Sequence, residues 1–203
     1  MYSVVMPTMW RSERTGPLLD TLQSSEFVDE VIVIDNQVSS RPDVEFGDKV
    51  KLLDQEDNIY VNPAWNLGVK ESKNKHLCII NDDISLDFDF GMPLITEFLQ
   101  NTKSVIGVHP LSYRMHPDDY TFNVSKGHYI GHGWGCCMFL RKEGWVDIPQ
   151  DIKIWFGDNW IAKEYTNNYS FLKAVQTEMQ TTSGSSEMND VIQSDIKLIN
   201  EKF

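Results

Sequence analysis

Along the first hundred residues, short unbroken apolar runs alternate with stretches whose apolar positions recur at helical spacing. Residues 2–6 read as a first strand. Thr15-Gly16-Pro17 then predicts a helix start, with Thr15 as the cap, Pro17 in the first turn, and Leu18, Leu19 and Leu22 as the apolar face. Glu30-Val31-Ile32-Val33-Ile34 is a continuous β-branched run, the pattern of a parallel strand covered on both faces. Residues 49–53 read as a weaker third strand. Asn62-Pro63 predicts a second helix, with Asn62 as cap and proline at the first helical position. Ala64, Trp65 and Val69 are its apolar positions, and Lys70 to Lys75 close it. His76-Leu77-Cys78-Ile79-Ile80 reads as a fourth, buried strand. Residues 93–99 predict a third helix bearing Leu94, Ile95, Phe98 and Leu99.

The second half is less regular. Residues 105–108 read as a short strand, followed by an irregular stretch from His109 to Gly127. Gly131-His132-Gly133-Trp134-Gly135 is a glycine-rich loop around one indole, and residues 136–140 are again strand-like. Trp155-Phe156-Gly157-Asp158-Asn159-Trp160 reads as a turn entering a helix over 159–165, capped by Asp158. Residues 171–179 offer one or two short strands, and 181–186 form a polar linker. Met188, Val191, Ile192, Ile196 and Ile199 fall on one face of a terminal amphipathic helix.

Strands alternating with helices predict an α/β fold with a mostly parallel sheet. In such a sheet the ligand site lies beyond the carboxyl ends of the strands. Three polar groups fall at that edge: Pro7-Thr8, Asp35-Asn36 and Asn81-Asp82-Asp83. Two adjacent carboxylates at the end of a buried strand are costly to desolvate unless a cation, a sugar hydroxyl or water compensates them. Their oxygens suit hard cations such as Mg²⁺ or Mn²⁺. A cation there can hold a diphosphate, so one reading is an enzyme with a nucleotide-linked substrate; the other is a solvated acidic turn. Asp158 suits both a general base and a helix cap. Trp134, Trp155 and Trp160 suit stacking on a sugar or base, and equally the packing of a core.

Length and composition narrow the class. The chain has 203 residues with a hydrophobic fraction of 41%, enough for one globular domain. No apolar run approaches the ~20 residues of a membrane span. The N-terminus lacks a basic region and a cleavable apolar stretch, so no signal peptide is expected. Cys78, Cys136 and Cys137 do not make a disulfide framework and read as reduced core residues of a cytoplasmic protein. The formal net charge of −12 gives no basic footprint for nucleic acid. It also requires that an anionic donor find a metal or local basic groups. Lys70, Lys73 and Lys75, and Arg141-Lys142, read as ordinary solvated faces. The spacing of His128, His132 and Cys136 would suit zinc on a helix, but the glycines between them argue against a helix.

Four segments carry a resemblance to a known family. They are Val4-Val5-Met6-Pro7-Thr8, Val31-Ile32-Val33-Ile34-Asp35-Asn36, the stretch from Asn58 to Gly68 with its Asn66-Leu67-Gly68, and Ile79-Ile80-Asn81-Asp82-Asp83. In this order the chain resembles, from Ser3 to about Thr182, the GT-A glycosyltransferases of family 2. The resemblance implies a GT-A (Rossmann-like) fold in a single domain over 1–203. A nucleotide-sugar half would occupy 1–100, an acceptor and catalytic half 101–182, and a C-terminal helix 183–203.

By the same resemblance Asp83 binds Mn²⁺ or Mg²⁺, which bridges the donor diphosphate, and Asp82 faces the donor ribose or sugar. Asp35 contacts the base or ribose, while Pro7, Thr8, Arg11, Asn66 and Asn81 complete the donor site. Asp158 is the catalytic base, and Trp134, Trp155 and Trp160 stand on the acceptor side. Two departures stand out. Gly157 occupies the place of the family's Glu before the base, and Met179-Gln180-Thr181-Thr182 has no His where many relatives supply a further metal ligand.

The function so implied is a metal-dependent transfer of sugar from a nucleoside-diphosphate sugar, UDP-sugar favoured, to an acceptor hydroxyl, inverting at the anomeric carbon. As acceptor the resemblance leaves open a glycan, a protein, a small molecule or a hydroxymethylated base in DNA. The last is raised by minimal enzymes of this type carried by bacteriophages, and the acidic charge counts against it. The rival readings are a nucleotidyltransferase and a catalytically inactive nucleotide-sugar or glycan-binding module. The former usually opens with a glycine-rich basic loop, which Thr8-Met9-Trp10-Arg11 is not.

Overall fold

The structure, a computed structural model, describes residues 1–129, 131, 133–178 and 188–202. His132, the stretch Met179 to Thr182 and the linker at 181–186 therefore lie outside the described residues.

The strands are β1 (Tyr2–Thr8), β2 (Val28–Asp35), β3 (Val50–Asp54), β4 (His76–Ile80), β5 (Ile84–Ser85), β6 (Ser104–Val108), β7 (Asn123–Lys126), β8 (Cys137–Arg141), β9 (Asn167–Leu172) and β10 (Gln176–Thr177). The α-helices are α1 (Thr15–Ser24), α2 (Val61–Glu71), α3 (Met92–Phe98), α4 (Gly157–Glu164) and α5 (Asn189–Lys202). Eight strands form one sheet in the order β3-β2-β1-β4-β8-β6-β9-β7, and β10 pairs with β5 in a separate two-stranded ribbon. Pairs β2/β3, β1/β2, β1/β4 and β6/β9 are parallel, whereas β8 runs antiparallel to both β4 and β6, and β7 to β9. This mostly parallel sheet flanked by helices is the α/β architecture the alternation predicts.

Successive residues of the central strands feed opposite faces, as the two-residue repeat of a strand requires. Val4, Met6, Val31, Val33, Cys78 and Ile80 pack on one face with Leu18, Leu19 and Leu22 of α1 and Met92 and Ile95 of α3. Val5, Ile32, Ile34, Leu77 and Ile79 pack on the other with Ala64, Trp65 and Val69 of α2, Ile161 of α4 and Ile199 of α5. The layers close tightly at Gly68: a Cβ there would stand 2.2 Å from Val5 Cγ1 and 3.0 Å from Ile34 Cδ1. The glycine of the Asn66-Leu67-Gly68 motif thus sets the approach of α2 to the sheet.

Several boundaries differ from the sequence reading. Thr15 is the first residue of α1 and Arg14 its cap; Tyr60 precedes α2, and Asn62 lies inside its first turn. Asp158 lies inside α4, with Phe156 at the cap position. The irregular stretch after His109 contains a 3₁₀ turn at Pro110–Arg114 and strand β7. In α5, Ile196 is among the exposed apolar residues, while Asp195 is fully buried. Cys78 and Cys137 are buried with their Sγ atoms 3.8 Å apart, beyond disulfide length, and all three cysteines are free. No helix among the described residues is long and apolar enough to cross a membrane.

Candidate active site

The register brings the polar strand ends together. Thr8 pairs with Asp35 across β1 and β2, and Asp35 with Asp54 across β2 and β3. Beyond β4, the Thr8 hydroxyl donates to Asp82 Oδ2 at 2.5 Å, and the Thr15 hydroxyl at the start of α1 donates to the Asp82 carbonyl at 3.3 Å. The neighbouring Asp83 is buried, and its Oδ1 has no hydrogen-bond partner among the described residues. Among the described residues its Oδ2 accepts a long 3.5 Å contact from the Thr177 hydroxyl. Burial pushes the Asp82 carboxyl up to about 6, with the charge of Asp83 adding to the effect. Burial also raises the Asp83 carboxyl, and Glu178 raises it further.

Glu178 belongs to this site although its sequence gave no signal. The β5/β10 ribbon sets Thr177 opposite Ile84, and the Glu178 amide donates to the Asp83 carbonyl at 3.1 Å. The Glu178 carboxylate accepts from the Ser12 hydroxyl at 2.8 Å and lies 3.3 Å from Arg14 Nε. A carboxylate therefore stands one residue before the stretch Met179 to Thr182, which carries no His. Among the described residues no three His, Cys, Asp or Glu side chains converge as a closed metal site. The buried, unpartnered oxygen of Asp83 with Glu178 beside it fits a hard cation that takes its remaining ligands from phosphate and water.

Asp158 faces the same region across the turn Trp134–Cys136. The amide of Asn81 donates to the Cys136 carbonyl at 2.8 Å, tying the acidic segment to this turn. A Cβ on Gly135 would stand 2.6 Å from Asp158 Cβ, so only glycine leaves room for this carboxylate. Burial raises the Asp158 carboxyl, opposed by the charge of His128 and by backbone N–H groups of Asn159 and Gly135. Burial likewise pushes the Cys136 thiol up to about 12, with Asp83 and Asp158 both contributing. That shared neighbour brings the two carboxylates to one locality.

Three bulky residues adopt left-handed backbone here: Trp10 (φ 59°), Tyr60 (φ 67°) and Phe156 (φ 67°). The conformation costs an L-residue roughly 1–2 kcal/mol. Each stands two residues from a polar group already described or adjoining it, Thr8, Asn62 and Asp158 respectively. Such strain concentrates where a fold over-determines functional groups.

The other expected site residues divide. Asn81 is half-buried at the edge and Pro7 is buried in β1 opposite Ile34. Arg11 is exposed, 3.4 Å from Gln37 Oε1. Asp35 is fully buried and accepts from the Gln37 amide at 2.9 Å and Arg41 Nε at 2.7 Å. Both of its oxygens are thus already engaged within the chain. Asn66 is spent on the chain itself: its amide donates to the Ile148 carbonyl at 2.7 Å and accepts from the Ile148 N–H at 3.0 Å. These two bonds tie α2 to the loop before α4. Trp134, expected on the acceptor side, stands differently. It is fully buried over Gly107, and its indole N–H donates to the Tyr169 carbonyl and the Ser170 hydroxyl, each at 3.0 Å. Trp160 packs partly buried against the core, whereas Trp155 is 43% exposed and available for stacking.

Gly157 is explained by Asn62. A Cβ at Gly157 would stand 2.0 Å from Asn62 Oδ1, and the Asn62 amide reaches the carbonyls of Ile152 at 3.1 Å and Trp155 at 3.3 Å.

Residues 3–146 match the family model described as Glycosyl transferase family 2. No curated protein sequence matches the chain. Among solved structures the fold is similar to that of S. aureus TarS 1–349, with a TM-score of 0.59 at 14% identity over 95% of this chain and 64% of that one. It is similar to GalNAc-T7 solved with UDP, GalNAc and Mn²⁺ (TM-score 0.61, 12% identity, 87% of this chain and 43% of that one). It is also similar to the mannosyltransferase PcManGT from Pyrobaculum calidifontis with GDP-Man and Mn²⁺ (0.57, 14%, 82% and 53%). The chain spans less than two thirds of the length of each, and at these identities the likeness is one of fold.

Proposed function

The chain belongs to glycosyl transferase family 2, and we propose that it transfers a sugar from a nucleoside-diphosphate sugar to an acceptor hydroxyl with the help of a divalent cation. The observation that carries this reading is the buried Asp83 Oδ1, without a partner among the described residues, at the carboxyl edge of the sheet, with Asp158 across the Trp134–Cys136 turn. The nucleotide half is residues 1–100 and the acceptor half 101–182. UDP-sugars are favoured as donors. Mn²⁺ or Mg²⁺ is the cation, and a glycan or a hydroxymethylated DNA base the acceptor class.

Asp83 and Glu178 would hold the cation, which when bound supplies positive charge to the leaving diphosphate. Asp82, fixed by Thr8 and Thr15, lines the donor pocket. Asp158 accepts the proton of the attacking hydroxyl, a role typically worth ~10²–10⁴ in rate. Its partly buried carboxylate is a stronger base than a solvated one because burial disfavours its charge. Attack from the face opposite the diphosphate inverts the anomeric centre. The exposed ring of Trp155 offers an apolar face to the acceptor.

The test is thermal unfolding with UDP, GDP, CDP and dTDP, with and without Mn²⁺, on the wild type and Asp83→Ala. A ligand at 100 times its dissociation constant stabilises by ~2.7 kcal/mol, or ~5–10 °C for a domain this size. The reading expects a Mn²⁺-dependent shift for one nucleotide that the variant loses, and release of that nucleotide from its sugar conjugate. A shift without turnover would indicate a binding module; no shift with any nucleotide would sink the proposal.

A further inference from the structure

The loop that delivers Asp158 is held from two sides. On one side stands Asn62 of α2: its backbone N–H donates to the Lys153 carbonyl at 2.9 Å, and its side chain reaches the Ile152 and Trp155 carbonyls. On the other stands Asp195, in the middle of α5 and fully buried. Its Oδ1 accepts from the Lys153 amide at 2.8 Å, and its Oδ2 from the amides of Ile154 at 2.8 Å and Trp155 at 3.0 Å.

Three successive backbone donors on one carboxylate form an anion-binding nest. A buried carboxylate is costly unless satisfied in this way. Bonds of this kind, with an ionised acceptor, are stronger than neutral ones. The next residue, Phe156, is held in left-handed backbone, and α4 begins immediately after it with Asp158 in its first turn. The position of Asp158 therefore follows from where 153–155 are fixed.

We infer that Asp195 is a positioning residue: from the C-terminal helix it fixes the backbone of residues 153–155 and thereby the placement of Asp158 against Gly135. The inference rests on the reading of Asp158 as the base. It assigns a functional part to α5, which lies, like Asp158 itself, outside the residues that match the family. Asn62 holds the carbonyls of the segment and Asp195 its N–H groups, so neither can stand in for the other.

The test uses the full chain with Asp195→Asn, Asp195→Ala and Asp158→Asn. Asn retains one accepting oxygen and keeps part of the nest, so it guards against simple failure of the Ala variant to fold. Amide hydrogen exchange is followed by peptide, the Mn²⁺-dependent thermal shift is measured with UDP, GDP, CDP and dTDP, and hydrolysis of the matching nucleotide sugars is assayed. Expected for the Asp195 variants is faster exchange confined to 152–161, with Asn milder than Ala, and an unchanged nucleotide-dependent shift. Turnover falls ~10²-fold with donor KM unchanged, as misplacement of a catalytic group by about 1 Å produces.

Faster exchange spread evenly over the sheet, a KM that rises in step with the loss of kcat, or protection at 157–161 unchanged in Asp195→Ala would each overturn the inference. If Asp158→Asn keeps full turnover, the base reading fails. The exchange pattern of the Asp195 variants then still reports whether the nest fixes the loop.

Discussion

Gly135 and Asp158 are in contact so close that the glycine decides where the carboxylate stands: a Cβ at 135 would lie 2.6 Å from Asp158 Cβ and 3.0 Å from its Oδ2. The contact joins two elements far apart in sequence, the Trp134–Cys136 turn and α4, just where the acidic end of β4 meets them. Gly135→Ala is therefore expected to push Asp158 out of place. Transfer should fall ~10²-fold, the effect of a misplacement of about 1 Å. Overpacking should cost only about 1–3 kcal/mol of stability. Steady-state turnover beside urea unfolding checks the pair of outcomes; equal nucleotide affinity in both proteins shows that the donor half is intact.

Asp82 should make the cation-free protein less stable as pH rises. Its carboxyl is pushed up to about 6 in the folded chain, above its ordinary value of 3.8. A group raised on folding contributes stability that is fully present below the unfolded value and is lost as pH rises through the folded one. Asp82→Asn is expected to gain about 3 kcal/mol over wild type at pH 7.5. The gain should vanish near pH 3, below the unfolded value, where the carboxyl is neutral in the folded and unfolded chain alike. Urea midpoints of the two proteins at both pH values measure this directly. A gain that persists at pH 3 would point to packing.

Glu178 should matter to the cation and little to the fold. Its carboxylate is held by Ser12 and Arg14 at the surface of the site, beside Asp83. Glu178→Gln removes one charge and leaves the hydrogen bond from Ser12 possible. Mn²⁺ affinity in the presence of UDP, read by the loss of free-ion EPR signal, should fall ~10–100-fold, with a melting temperature close to wild type. An unchanged affinity would leave Glu178 as a partner of Ser12 and Arg14.

The acid side of the rate profile should reflect Asp158. Burial raises its carboxyl above the ordinary range, and as a base it works only when ionised. Turnover at saturating donor is expected to decline with acid at a pH higher than a solvated aspartate would give. In a Gly135→Ala protein, where the carboxylate is displaced toward water, that limb should move to lower pH. A profile flat from pH 7.5 down to 4 would remove Asp158 from the proton transfer.

Gly68→Ala tests the scaffold. The new methyl group meets Val5 and Ile34 in the middle of the packed face, so α2 has to shift outward. The expected loss is about 1–3 kcal/mol, measured by chemical unfolding.

The strands and helices were largely readable because their signals are local. β4 spans the five residues His76–Ile80 that the apolar run marks, and β2 extends the β-branched run by two residues before it and one after. In α5 the same logic misled. The apolar stripe places Ile196 inward, but Asp195 is the buried residue and Ile196 faces out. Periodicity registers apolar side chains; it does not register a carboxylate that finds three backbone donors 40 to 42 residues away. Asn66 is a similar case, its two bonds going to a residue 82 positions distant. Glu178 carries no local signal, because it is the β5/β10 pairing that brings it to Asp83.

By itself the sequence determined the alternation of strands and helices, the parallel sheet, and the gathering of Thr8, Asp35 and Asn81-Asp82-Asp83 at its carboxyl edge. Which of those groups is free to meet a ligand was decided only by the tertiary structure. Asp35 is taken up by Arg41 and Gln37, while one oxygen of Asp83 is buried and has no partner among the described residues. The physical reason is that hydrogen-bond satisfaction of a buried polar atom depends on which distant donors the packing brings within about 3 Å, and no local pattern encodes that.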